Sequence, residues 1–184
     1  MKKNIEISIV IVTYNSEKHI SDCIKSISEN NINYEIIIVD NNSEDSTIKK
    51  IKKMDNNVKI ITKNKNMGFS NGINSGIKVA KGKSILLLNP DTILQKDCLR
   101  ILNEKINRSN YKVISPQILN KKNRIFTSAW RFPSLLSTIG ELIYLKSFFI
   151  FKNYRDKDLN QPFVAESVSG AAIFCNKKII ESVG

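Results

Sequence analysis

Few residues in this 184-residue chain are equipped for chemistry, and the best placed is a single acid. Asp91 lies in the stretch "LLLNPDT", Leu86 to Thr92, where an apolar run ends in an asparagine, a proline and one carboxylate. Asn-Pro-Asp is ordinary turn chemistry, because proline presets φ and the short polar side chains bond to nearby backbone. One carboxylate is also too little for a protein-built cation cage. It suffices where a ligand's phosphates bring further oxygens, as they commonly do for magnesium. On these seven residues alone, turn residue and metal ligand both fit Asp91.

A second acid, Asp40, ends the apolar stretch "YEIIIVD". It could accept hydrogen bonds from a base N–H or a ribose hydroxyl, or cap the helix that follows "NNSEDS". Other chemistries are excluded. The turn "TYNSEK" has no glycine, so a dinucleotide fingerprint is absent, and there is no GxxxxGK[ST] phosphate loop. "NMGFSNG" supplies glycines, but a Gly-rich loop by itself specifies no ligand. His19 is the only histidine, so any Ser-His-Asp or Cys-His system would depend on it, and it reads as a solvated residue starting a polar helix face. Cys23, Cys98 and Cys175 are far apart with no CxxC pair, which argues against disulfides and zinc and for a reducing cytosol.

These residues must be positioned by something regular. "IEISIVIVTYN" is a short, β-branched, buried strand of the parallel-sheet kind. In "SEKHISDCIKSISEN", Ile20, Cys23, Ile24 and Ile27 recur at helical spacing, with Ser16 as the predicted N-cap. "YEIIIVD" is a second strand, "NNSEDSTIKKIKKM" a capped basic helix and "NVKIIT" a third strand. "NMGFSNGINSGIKVAKG" enters a helix expected to close at Gly82; "KSILLL" is a fourth strand and "KDCLRILNEKI" another helix. Strictly alternating strands and helices over about the first 110 residues predict an α/β fold, a mostly parallel central sheet flanked by helices.

Beyond that point, "YKVISPQIL" and "RIFTSAWRF" read as strands or a hairpin across "NKKN". "PSLLSTIGELIYLKSFFIF" reads as a helix with Leu135, Leu136, Ile139, Leu142 and Ile143 on one stripe. "FVAESVSGAAIFCNKKIIESVG" closes with two strands and a short helix.

Ligands of open parallel sheets bind beyond the carboxyl ends of the strands. The rim candidates are therefore Thr13-Tyr14-Asn15, Asp40 to Ser43, Asn64 to Asn74, and Asn89-Pro90-Asp91. The formal net charge of +12 predicts attraction to polyanions, whether nucleic acid, an anionic membrane face or phosphorylated ligands. Scattered lysine in an Asn-, Ile- and Lys-rich chain accounts for the same number through genome composition. No apolar run approaches the ~20 residues of a membrane span. A nucleic-acid domain lacks its signature here, with neither recognition helix, zinc finger nor aromatics interleaved with the lysines.

"SIVIVTYN", "EIIIVDNNSEDST", "NMGFSNGINSGIKVAKGKSILLLNPDT" and "VSGAAIFCNKKIIESVG", in this order and spacing, resemble the family 2 glycosyltransferases of GT-A fold, which is Rossmann-like. The "NPD" form and "RFPSLL" look closest to the rhamnosyltransferase-like branch. The resemblance implies one GT-A domain, with a nucleotide-sugar-binding half over 1–110 and the start of an acceptor-side half over 111–184. It implies an inverting transferase that moves a sugar from a UDP- or dTDP-sugar to a cell-surface polysaccharide or lipid-linked glycan. By position, Thr13, Tyr14 and Asn15 would line the nucleotide pocket, and Asp40 would read the pyrimidine with Asn42 nearby. Gly68, Asn71 and Asn74 would allow close approach to the donor. Asn89 and Asp91 would match the ends of the family's Asp-x-Asp motif, so that Asp91 alone carries the charge for Mn²⁺ or Mg²⁺.

The family continues past "VG" into an acidic pair holding the general base, whereas this sequence stops at Gly184. The expectation is a base beyond Gly184 in a longer protein; the alternative is a base-less nucleotide-sugar-binding module. A cytoplasmic location is implied, at the inner face of the membrane if the stripe Leu135 to Phe151 docks on anionic lipid. Trp130 reads as core packing or as part of the acceptor side.

Overall fold

The computed structural model describes residues 4–54, 58–132, 154 and 160–183. Along the chain come β1 (Ile7–Thr13), α1 (Ile20–Ser28), β2 (Tyr34–Asp40), α2 (Thr47–Met54), β3 (Val58–Thr62), α3 (Phe69–Val79), β4 (Ser84–Leu88), α4 (Cys98–Arg108) and β5 (Val113–Ile114). The pairs β6 (Ile118–Leu119) with β7 (Ile125–Phe126), and β8 (Ala129–Trp130) with β9 (Ser167–Val168), follow. The chain then returns as β10 (Ala172–Asn176) and α5 (Lys177–Val183).

Six strands form one sheet in the order β3-β2-β1-β4-β10-β5. The first four run parallel, and β10 runs antiparallel to both β4 and β5. All seven residues of β1 are buried, as a central strand covered on both faces requires. Alternation along the strands then sorts the side chains. Ile7, Ile9 and Ile11, with Ile36 and Ile38, pack under α1, α2 and α4. Val10 and Val12, with Ile37 and Val39, pack on the opposite face with Ile73 and Ile77 of α3 and Ile180 of α5. Helix α3 approaches this second face through glycines: a Cβ on Gly72 would stand 2.7 Å from Val12 Cγ1, and one on Gly76 would collide with Val10 Cγ1.

Two local expectations change. Helix α1 begins at Ile20 with His19 at the N-cap position, and Ser16 contributes its carbonyl to the N–H groups of His19 and Ile20 instead of its hydroxyl to a cap. Helix α3 ends at Val79, three residues before Gly82. Gly82 donates its N–H to Ser8 Oγ at 2.8 Å, and a Cβ there would strike the Ser8 backbone nitrogen. Close packing at the foot of β1 therefore requires that glycine, and helix termination does not.

The chain divides into two compact units, one of residues 1–116 and 170–184 and the other of 117–169. The second contains the expected hairpin, β6 and β7 joined across Asn120 to Arg124, with Asn123 at φ 55°. In the same unit Tyr154 stacks at a tilt on Phe163 with ring centroids 5.1 Å apart, and the Arg131 guanidinium lies 5.1 Å from the Tyr154 ring centre. Glu166 accepts the Phe132 N–H at 2.7 Å and donates its own N–H to the Tyr154 hydroxyl at 2.9 Å. Trp130 is half-buried in β8, opposite Ser167. The stripe from Leu135 to Phe151 lies outside the described residues. Among the described residues, no helix is long and apolar enough to cross a membrane.

Candidate functional site

Strands β2 and β3 lie to one side of β1, and the chain then crosses back to lay β4 on its other side. Loops leaving the two sides diverge at such a switch point and open a crevice beyond the strand ends. An open cleft of about 480 Å³ lies there. Its walls come from four successive strand ends: Val12, Tyr14, Asn15, Ser16 and His19 after β1, Asn41 after β2, Asn66, Gly68 and Phe69 before and at the start of α3, and Asn89, Pro90 and Asp91 after β4.

A network under the rim fixes the first two loops. Thr13 and Asp40 are register partners at the ends of β1 and β2, and the buried Thr13 hydroxyl donates to Asp40 Oδ1 at 2.7 Å. Ser43 gives Asp40 two more hydrogen bonds, from its N–H at 2.8 Å and its hydroxyl at 2.6 Å. Ser43 Oγ in turn accepts the Asn15 N–H, and Asn15 Oδ1 accepts the Glu44 N–H, both at 2.9 Å. Asn15 and Asn42 both take left-handed backbone, at φ 49° and 66°, which asparagine tolerates better than most residues. Asp45 extends the network by accepting the N–H groups of Glu17 and Thr47. Burial acts to raise its carboxyl. Hydrogen bonds from Thr47 and Glu17 and the charge of Lys50 outweigh that and bring it below the ordinary value.

Asn41 differs from everything around it. It is 2% exposed, and its Nδ2 donates to the Gly68 carbonyl at 3.1 Å. Its Oδ1 is buried without a partner. Flipping the amide would set Oδ1 against the Gly68 carbonyl, so the orientation is fixed. A buried orphan acceptor costs roughly 1–3 kcal/mol, and this one belongs to a residue lining the cleft.

At the other wall the β4 turn is tied down. Asn89 donates its N–H to the Ala171 carbonyl at 2.9 Å, and the Asn89 carbonyl accepts from Thr92 N at 3.2 Å and Cys23 Sγ at 3.7 Å. Burial, then the charge of Asp91, pushes the Cys23 thiol up to about 12. Asp91 itself is exposed. Among the described residues no group of three or more His, Cys, Asp or Glu could hold a metal. Asp91 could offer a carboxylate and Asn89 an amide oxygen, hard ligands that would suit Mg²⁺ or Mn²⁺ only with phosphate or water oxygens completing the shell.

Of the expected site residues, Tyr14, Asn15, Gly68, Asn89 and Asp91 share the cleft wall. Thr13 and Asp40 lie buried beneath it, Asn42 is exposed on the β2–α2 loop, and Asn71 and Asn74 are exposed on α3. Asn41, Asn66 and Phe69, which fall inside the expected rim stretches but were given no role of their own, also line the cleft, as does His19, which was expected to be a solvated helix-start residue. For Asn41 the signal was present: Ile37, Val39 and Asn41 alternate onto the α3 face, whereas Ile36, Ile38 and Asp40 alternate away from it.

The model for glycosyl transferase family 2 matches residues 8–183. The chain belongs to that family. Over 121 residues it is 35% identical to the low-salt glycan biosynthesis hexosyltransferase Agl10 of Haloferax volcanii, a match covering 64% of this chain and 38% of that protein. Among solved structures it is similar to S. aureus TarS 1–349 in complex with UDP-GlcNAc, at TM-score 0.61 and 24% identity, over 67% of this chain and 38% of that one. It is also similar to the mannosyltransferase PcManGT of Pyrobaculum calidifontis in complex with GDP-Man and Mn²⁺, at TM-score 0.69 and 13% identity, over 100% of this chain and 48% of that one. These likenesses establish the GT-A fold of this family 2 member, with its mostly parallel sheet. The chain spans less than half the length of each of these three relatives.

Proposed function

We propose that this chain carries the donor site of an inverting glycosyltransferase that uses a UDP- or dTDP-sugar. The observation that carries the reading is the pairing, in one switch-point cleft, of the orphaned Asn41 Oδ1 with the solitary carboxylate of Asp91. Uracil and thymine present an N3–H between two carbonyls. Asn41 Nδ2 gives one of its two hydrogens to the Gly68 carbonyl, and the unpartnered Oδ1 is the acceptor available to meet that N–H. The base-reading role expected of Asp40 therefore passes to Asn41, and Asp40, holding three hydrogen bonds, supports the loops of Thr13 to Asn15 and Asn42. Tyr14 and Phe69, half-exposed at the mouth, offer surfaces for the base or ribose.

Asp91 and Asn89 would hold Mn²⁺ or Mg²⁺ together with the donor's diphosphate; when bound, the ion stabilises the charge that develops on the leaving group. Gly68, left-handed at φ 82°, turns the chain into α3 beside that position, and Asn71 and Asn74 continue its exposed face. Transfer then joins the acceptor hydroxyl oxygen to the sugar's anomeric carbon as the bond to the diphosphate breaks, and the hydroxyl proton passes to a general base. The acceptor is a cell-surface polysaccharide or lipid-linked glycan, as in the rhamnosyltransferase-like branch, and the enzyme works in the cytoplasm at the inner membrane face.

The test is a thermal-shift series with UDP, dTDP and GDP, each with and without Mn²⁺. The reading expects stabilisation by the pyrimidine nucleotides, loss of the Mn²⁺-dependent part in Asp91→Ala, and a roughly tenfold weaker nucleotide affinity in Asn41→Ala. Response to none of the nucleotides would overturn it, and response to GDP alone would overturn the pyrimidine assignment. The alternative, a base-less nucleotide-sugar-binding module, is the outcome in which the protein binds donor but neither transfers nor hydrolyses it.

A further inference from the structure

The excess charge is not spread evenly. Residues 46–90 hold ten lysines against a single acid, Asp55, so they carry nine of the twelve excess positive charges. This span contains α2, β3 and α3, and β3 is an outer strand of the sheet. Lys49, Lys52 and Lys53 stand at i, i+3 and i+4 on the exposed face of α2, opposite the buried Thr47 and Ile51. Lys59 is exposed on β3 itself, and Lys78 is exposed on α3, across the sheet from α2. Among the described residues, none of these five is ion-paired.

We propose that this cationic edge docks the protein on an anionic phospholipid surface. The chemistry of the patch selects that partner. Every cation in the span is lysine and none is arginine, so the forked, bidentate geometry that reads an individual phosphate is missing. Phe69 is the only aromatic residue of the span, which leaves no stacking platform for single-stranded nucleic acid. No lysine lines the donor cleft, so these charges do not serve the donor's diphosphate. Strongly hydrated point charges on flexible stems suit a diffuse negative potential, where each lysine adds attraction without a fixed partner. Met54, 38% exposed at the end of the lysine stripe, supplies an apolar side chain at that surface. The inference stands on charge distribution and does not depend on the donor-site reading.

The experiment is co-sedimentation of the full chain with vesicles of phosphatidylcholine alone and of phosphatidylcholine mixed with phosphatidylglycerol, at low and high salt. Binding is expected only to the phosphatidylglycerol vesicles and is expected to weaken as salt shortens the screening length. K49Q/K52Q/K53Q should lower the partition coefficient about a hundredfold, each single change about fivefold, and K121Q/K122Q, exposed in the other unit, much less. The single variants keep the test decisive if the triple variant misfolds. Equal binding to both vesicle types, or equal losses in K49Q/K52Q/K53Q and K121Q/K122Q, would overturn the proposal. So would retention on polyphosphate or RNA with no vesicle binding, which would make the partner a soluble polyanion. The nucleotide-induced thermal shift of the triple variant should match the parent, which separates this outcome from failure of the donor site.

Discussion

The Thr13 hydroxyl and the Asp40 carboxylate, 27 residues apart in sequence, meet at 2.7 Å as register partners at the carboxyl ends of two parallel strands. Neither is open to solvent, and together with Ser43 they set the height of both loops above the sheet. Asp40→Ala strands three donors at once and is expected to cost about 3 kcal/mol of stability. Urea unfolding monitored by circular dichroism measures it. A loss below about 0.5 kcal/mol, the size of a surface substitution, would show that water satisfies these donors equally well.

The β4 turn predicts a gain of function in metal binding. Asn89→Asp adds a second carboxylate beside Asp91, so the variant should be less stable than the parent without divalent ions and more stabilised by Mn²⁺ in the presence of UDP. The difference in melting temperature with and without Mn²⁺ reads both effects in one experiment.

The thiols should be quiet. Burial, assisted by Asp91, pushes Cys23 up to about 12, burial takes Cys175 to about 11, and burial raises Cys98 as well. At pH 8 the thiolate fraction of Cys23 is then about one in ten thousand, and thiolate is the reactive form. Titration with an aromatic disulfide reagent should proceed slowly on the folded chain and rapidly for all three cysteines in urea.

Acid should loosen the tie between the β1–α1 and β2–α2 loops through Asp45. Its carboxyl lies below its ordinary value in the fold, so its contribution is present above the unfolded value near 3.8 and fades as pH falls through the folded one. Asp45→Asn should therefore be less stable than the parent at pH 7, and the gap should close as pH falls through the carboxyl's folded value. A gap independent of pH would assign the effect to packing.

Gly82→Ala should be the costliest glycine substitution in the first unit. A Cβ at Gly72 or Gly76 presses on a valine side chain, whereas one at Gly82 meets the Ser8 backbone, which cannot rotate aside. Losses of about 1–3 kcal/mol are expected for the first two and more for Gly82, read from chemical denaturation of the three variants.

The alternating pattern of the first 110 residues made the sheet and its rim legible, because buried parallel strands are β-branched and the crevice position follows from topology. The position of Asn89 and Asp91 on the cleft wall was recoverable on those grounds. The burial of Asp40 beneath the cleft was not legible, because an acid at a strand end attracts a chemical role whichever way it faces. Which face it takes is decided by parity with Ile36 and Ile38, and that parity is shared by every second residue of β2. For Asn41 the face was legible from parity with Ile37 and Val39, whereas the lost partner of its Oδ1 is revealed only by three-dimensional placement. Gly82 looked like a helix stop for a similar reason: glycine before a strand reads the same whether it ends a helix or admits a neighbouring backbone.

The chain leaves the first unit at Pro116 and re-enters it at Gly170, and across that gap the Ser115 hydroxyl donates to the Ala172 carbonyl at 3.0 Å. Residues 117–169 are therefore an excursion with a pinched stem. Loop-closure entropy changes by only about 0.6 kcal/mol for each doubling of such an excursion, so its length and composition can vary while the β10–β4 register, and with it the Ala171 hydrogen bond that seats Asn89, stays in place. Evolution or a protein engineer can exchange the whole insert as one cassette between fixed anchor points.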